Sequence, residues 1–70
     1  MNCLGADFDK GRQCFNNNDF ACAMREWLPL AVNGHELAQF YAALLYQEGL
    51  GTEQDLINAE GWYLKAAEQG

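Results

Sequence analysis

Ten acidic residues against four basic ones give this chain of 70 residues a formal net charge of −6, a sign that repels nucleic-acid phosphates and anionic membrane surfaces. Half of the residues are apolar and nine are aromatic, which excludes a disordered polar chain. A chain of this size buries only about 60% of the surface its unfolded form exposes, so it makes a single domain held mainly by local contacts.

Four helices are predicted in chain order. The first spans about Ala6 to Phe15 and puts Phe8, Gly11, Cys14 and Phe15 on one side. Asn16, Asn17 and Asn18 then signal a turn, because asparagine tolerates left-handed backbone and its side chain competes for helical hydrogen bonds. Asp19 is placed to cap the second helix. Phe20, Ala23, Met24, Trp27, Leu30 and Ala31 follow at the three-and-four spacing of a buried stripe. Pro29 is expected to bend or loosen the last turn, and Asn33-Gly34 to end the helix. The third helix is expected from His35 to Gln47, with Leu37, Phe40, Tyr41, Leu44 and Leu45 spread widely and Ala38, Ala42 and Ala43 allowing close approach between them. Gly49 and Gly51 bracket a tight loop, and Asp55 either caps the fourth helix or fixes the loop before it. Leu56, Ala59, Trp62 or Tyr63, and Ala66-Ala67 form the expected inward stripe of that helix. Gly61 in its middle costs about 1 kcal/mol against alanine, which points to close packing or to relaxed selection.

The chain repeats itself. Aligning Gly34 with Gly70, a shift of 36 residues, superposes Asp19 on Asp55, Phe20 on Leu56, Ala23 on Ala59, Leu28 on Leu64 and Ala31 on Ala67. The second copy also carries Tyr46, Gly49, Gly51, Trp62-Tyr63 and the closing Ala66-Ala67-Glu68-Gln69-Gly70. This set resembles the Sel1-like repeat, a relative of the tetratricopeptide repeat. Residues 35–70 read as one complete Sel1-like repeat and residues 5–34 as a shortened tetratricopeptide-like opening repeat. The fold this resemblance implies is all-α, with two stacked antiparallel helix pairs forming a short right-handed α-solenoid.

Bond chemistry finds little to work with. The chain holds no serine, and its one histidine, His35, follows a helix-ending glycine. Cys14 or Cys22 with His35 as base is outweighed by the reading of buried thiols as inert small hydrophobes. Three cysteines, odd in number and without CxxC spacing, do not make a zinc site and fit a reduced state. Some relatives of the resembled family carry disulfides between the helices of each repeat, which leaves a Cys14–Cys22 bridge open. The second copy, with Tyr46 and Asn58 at the matching places, weighs for free thiols. Glu48, Glu53 and Asp55 lack the spacing of a calcium loop, and Gly49-Leu50-Gly51 lacks the lysine of a phosphate loop. An enzyme is not expected, nor a metal or cofactor. No window approaches the roughly 20 apolar residues of a membrane span, and Asp7, Asp9, Lys10 and Arg12 interrupt the place where a signal peptide would have its apolar core. A soluble cytoplasmic chain is the expectation.

The resemblance implies a protein–protein interaction module that binds a protein or peptide in the groove lined by the first helix of each repeat. Carried over by register, with Gly11 and Ala43 as the matching small residues, that groove takes Phe8, Arg12, Phe15 and Asn16 from one helix and Phe40, Leu44, Gln47 and Glu48 from the other. Several of these read also as inter-repeat core, and for Phe8 and Phe40 that reading weighs slightly more. In a solenoid each repeat buries one face against the next, so a terminal face needs a polar cap. The end face here instead offers Tyr41, Tyr63, Leu64 and Ala66, which suggests a partner surface or self-association through the last helix, or else a chain that is part of a longer repeat protein. Two other readings remain: an acidic, antitoxin-like inhibitor steered to a basic site on an enzyme or a nucleic-acid-handling complex, and a homodimerising structural module.

Overall fold

The computed structural model describes residues 7–69, so the expected helix start at Ala6, along with Cys3 and Gly70, lies outside the described residues. Helices α1 (Phe8–Asn16), α2 (Phe20–Val32), α3 (Glu36–Glu48) and α4 (Leu56–Gln69) follow one another, and there is no strand among the described residues. Each helix packs on the next, α1 on α2, α2 on α3 and α3 on α4. Connections as short as 17–19 and 33–35 return the chain alongside the helix just left, so neighbouring helices run antiparallel. None of the described helices is long and apolar enough to cross a membrane.

The starts of the helices are set by side chains that satisfy free backbone N–H groups. Asp7 accepts from the N–H groups of Asp9 and Lys10, and Asp19 from that of Cys22 at 3.2 Å. His35 caps α3 from outside rather than opening it, its Nδ1 accepting from the Ala38 N–H at 3.1 Å. Asp55 fills both roles expected of it. Its carboxylate accepts from the Asn58 N–H at 3.0 Å and the Asn58 side chain at 2.8 Å, while its own N–H donates to the Tyr46 carbonyl at 2.9 Å. The two bonds from Asn58, the backbone one foremost, hold the Asp55 carboxyl below its ordinary pKa. Asn18 takes the left-handed backbone expected of that turn, with φ 63°.

The core is narrow and rich in alanine. Ala23, Met24, Trp27 and Ala31 of α2 meet Ala38, Ala42 and Leu45 of α3, all buried. In α3 the small residues face inward because the helix is clasped between α2 and α4, while Leu37 and Phe40 stay 53% and 45% exposed. Helix α4 turns Ala59, Trp62 and Ala66 inward. Leu56 and Ala67, expected in that stripe, are exposed, while Ala66 is buried as the stripe has it and not in water as the end-face reading has it. Helix α2 continues through Pro29 to Val32. A Cβ on Gly61 would meet nothing within 4 Å, so close packing is not why glycine stands there.

Two glycines mark close approaches. A Cβ on Gly11 would lie 2.7 Å from Cδ1 of Trp27, whose indole N–H donates to the Phe8 carbonyl at 3.1 Å. Gly51, with φ 75°, lays the loop after α3 against the first turn of α2, where a Cβ would lie 2.6 Å from the Phe20 carbonyl carbon.

Buried polar groups act as ties. Glu26 accepts from the Asp7 N–H at 3.1 Å and lies 3.8 Å from the Lys10 ammonium, fastening the start of α1 to α2. Gln39, 4% exposed, donates to the Ala31 carbonyl at 3.1 Å and accepts from Gln69 at 2.8 Å, linking the ends of α2 and α4 through α3. Such groups are favourable inside only when bonded, and these are.

Candidate functional site

Cys14 and Cys22 are joined in a disulfide, with Cα atoms 5.7 Å apart. The expectation of free thiols is corrected: α1 and α2 come close enough at their turn to bring the two residues within bonding reach, whereas the second pair, with Tyr46 and Asn58, has no cysteines to join. The cysteine argument for a reducing compartment falls with it. Asp19 lies beside the two sulfurs, but a disulfide leaves no thiolate to hold a metal.

The residues expected to line one groove divide. Arg12 pairs with Asp9 at 3.2 Å on the exposed side of α1, and Asn16 is exposed at that helix's end. Phe15 packs inward, its ring 5.3 Å from Phe20 and 5.7 Å from Trp27, and Phe8 lies between Trp27 and His35 at 5.6 and 5.0 Å. Leu44 is half-buried and Glu48 is exposed, accepting from Gln47 at 3.2 Å. Phe40 and Gln47 line hollows on the end of the stack instead.

Tyr41 does not belong to that end. It is half-buried and stacks on Trp27 at 4.9 Å, with Phe8 at 5.9 Å and Phe15 at 6.5 Å, so it plugs the hollow that α1 and α2 form between them. Its facing was hidden from sequence reasoning, which weighed hydrophobicity and not which side of α3 meets the first pair.

Two hollows open on the far side of α3 and α4. One of about 620 Å³ is bounded by Gln47, Leu56, Glu60, Tyr63 and Leu64, and the other of about 530 Å³ by Glu36, Leu37, Phe40, Tyr63 and Ala67. They adjoin at Tyr63 and Ala67. Tyr63 is half-buried and Leu64 is 58% exposed. The Tyr63 hydroxyl donates to the Gln47 side chain at 2.8 Å, and its ring meets Phe40 edge-on at 5.5 Å.

These pairs reproduce the inner hollow. The shift of 36 residues carries Trp27 to Tyr63, and a shift of 32 carries Gly11 to Ala43, Phe8 to Phe40 and Phe15 to Gln47. Phe8 and Trp27 lie 5.6 Å apart, Phe40 and Tyr63 5.5 Å apart. Trp27 also meets Phe15, as Tyr63 meets Gln47. A family model described as the Sel1 repeat matches residues 36–70, the stretch that holds α3, α4 and the outer hollows. The chain belongs to the Sel1 repeat family. Sel1 repeats are generally protein-interaction modules, and the helical repeat fold of the family agrees with the four helices. No curated protein and no solved structure matches this Sel1-repeat chain.

Proposed function

We propose that the chain is a non-catalytic protein-interaction module whose contact surface is the end of the stack, where α3 and α4 hold the two adjoining hollows. The first helix pair, 5–34 with its short turn, serves as an opening repeat that supports the complete repeat at 35–70. The observation that carries this reading is the match between the outer hollow of Phe40, Gln47 and Tyr63 and the inner hollow of Phe8, Phe15 and Trp27, which already receives a helix. Apolar side chains on such a face gain most from being covered, as the inner hollow is. A surface lined by Leu37, Phe40, Leu56 and Leu64, each at least 45% exposed, favours docking of a protein segment over a small ligand.

The groove reading, with Arg12, Phe15, Asn16 and Leu44 as contacts, draws less support because Phe15 packs against Phe20 and Trp27. Crosslinking capture from native extract separates the two. Wild-type chain, Leu64→Asp and Arg12→Glu are compared, with circular dichroism confirming that each variant is folded. A partner lost with Leu64→Asp and kept with Arg12→Glu is the expected result. A partner kept by Leu64→Asp overturns the end-face assignment.

A further inference from the structure

The outer hollows carry a charge pattern as well as a shape. Glu36 and Glu60 are the charged residues that line them. The four basic residues lie elsewhere: Lys10 by Glu26, Arg12 by Asp9, Arg25 beside Leu28 and Pro29 on α2, and Lys65 with Gly61 and Trp62 on another side of α4. The chain as a whole is strongly acidic.

From this geometry we infer that the end face binds a basic amphipathic helix of another protein, seated across α3 and α4 as α3 itself seats across α1 and α2. This inference rests on the interaction role proposed above and specifies the partner's chemistry. The seated helix presents an aromatic ring to the hollow of Phe40, Gln47 and Tyr63, as Tyr41 presents its ring to Phe8, Phe15 and Trp27. Small residues flank that ring and a leucine follows one turn later, the pattern of Ala38, Tyr41, Ala42 and Leu45 in α3, which lets the helix axes come close. Lysine or arginine on the helix's edges meets Glu36 and Glu60.

A second copy of the chain is a poor occupant. Two end faces brought together place Glu36 and Glu60 against their own kind, and like charges at an interface are unfavourable. Head-to-tail stacking fails on α1, where the positions matching Tyr41, Ala42 and Leu45 are Asp9, Lys10 and Gln13, all polar and exposed. That edge has no ring to offer the hollow.

The test uses a labelled synthetic helix of about 18 residues, long enough to hold helical structure, with the spacing Ala-x-x-Tyr-Ala-x-x-Leu and lysines on its edges. Binding to the whole chain is read by fluorescence anisotropy, beside matched peptides with tyrosine replaced by alanine and with lysine replaced by glutamate. The basic peptide is expected to bind, the alanine version about thirtyfold more weakly, as for loss of an aromatic anchor. The Glu36→Lys/Glu60→Lys variant is expected to weaken the basic peptide by about tenfold and to favour the glutamate version, with Glu36→Gln/Glu60→Gln intermediate. The inference is overturned if wild-type chain shows no binding at about millimolar peptide, the weak limit of useful affinity. Equal binding of the basic and glutamate peptides also overturns it, as does sedimentation showing a dimer that the basic peptide does not dissociate. If the peptides fail while Leu64→Asp still abolishes crosslinking capture, the interaction role stands and only the partner's chemistry is wrong.

Discussion

Between α1 and α2, a hollow of Phe8, Phe15 and Trp27 is filled by Tyr41, and Trp27 is left only 1% exposed. Between α3 and α4, the matching hollow of Phe40, Gln47 and Tyr63 has no ring of the described residues stacked into it apart from its own walls, and its aromatics stay half-open to solvent. The walls are spaced alike, Phe8 and Trp27 at 5.6 Å and Phe40 and Tyr63 at 5.5 Å, so the difference lies in whether a ring of the described residues covers them. A repeat helix contributes most to stability once a neighbour covers it, and the same residue types move from core to contact surface when the neighbour is another molecule.

The comparison can be broken first at its aromatic centres. Trp27→Ala is expected to cost about 3–5 kcal/mol, enough to unfold so small a domain, because it empties a filled hollow. Tyr63→Ala, its counterpart, is expected to cost less than half as much, since part of its ring is already in water. Urea denaturation followed by circular dichroism measures both, and equal losses would mean that the two hollows are equally integral to the core.

The next largest effect belongs to the tie that only the first pair has. Reducing the Cys14–Cys22 disulfide, or replacing both residues by serine, is expected to cost about 2–3 kcal/mol for a loop this short. Hydrogen exchange should rise in α1 before α3. A uniform rise across all four helices would show that the pairs unfold as one unit.

Gly61→Ala sharpens the contrast from the other side. A Cβ there meets nothing, so replacing a flexible residue inside α4 is expected to raise stability by about 0.5–1 kcal/mol. Peptide binding at the end face should not change. A loss of stability would reveal a contact made by the glycine backbone.

The smallest expected effect comes from acid. Because the folded Asp55 carboxyl sits below its ordinary pKa, its contribution is present above the unfolded value of about 4 and is lost as pH falls through the lower, folded value. Asp55→Asn should lower the plateau of a stability profile slightly and flatten its acid limb below about pH 4, while leaving its slope above pH 5 unchanged. An unchanged acid limb would remove the Asn58 contacts as a source of stability.

Much of this was legible in the chain. The caps Asp19 and Asp55, the turn at Asn18 and the period of Ala23, Met24, Trp27 and Ala31 depend on neighbours within a turn or two of helix, and local sequence carries them. The facing of Tyr41 and Leu56 was not legible, since a helix with apolar residues all round does not declare which side meets the helix before it and which the helix after it. Capping by His35 was missed for a different reason: imidazole is an uncommon cap, although its place just before the helix was a usable signal. Pairing of Cys14 with Cys22 hinged on how closely two helices approach at a turn, a distance that residue spacing leaves open.

The sequence by itself determined four helices, the Sel1 repeat in the second half and, nearly, the helix ends, because periodicity, caps and glycines act over a few residues. Only the tertiary structure decided that Ala38, Ala42, Ala43 and Leu45, rather than Leu37 and Phe40, form the buried face of α3, and that Tyr41 closes one hollow while Tyr63 stands at the edge of another. Helices of this chain are apolar on more than one side, so burial is assigned by the neighbour that arrives and not by the residues alone.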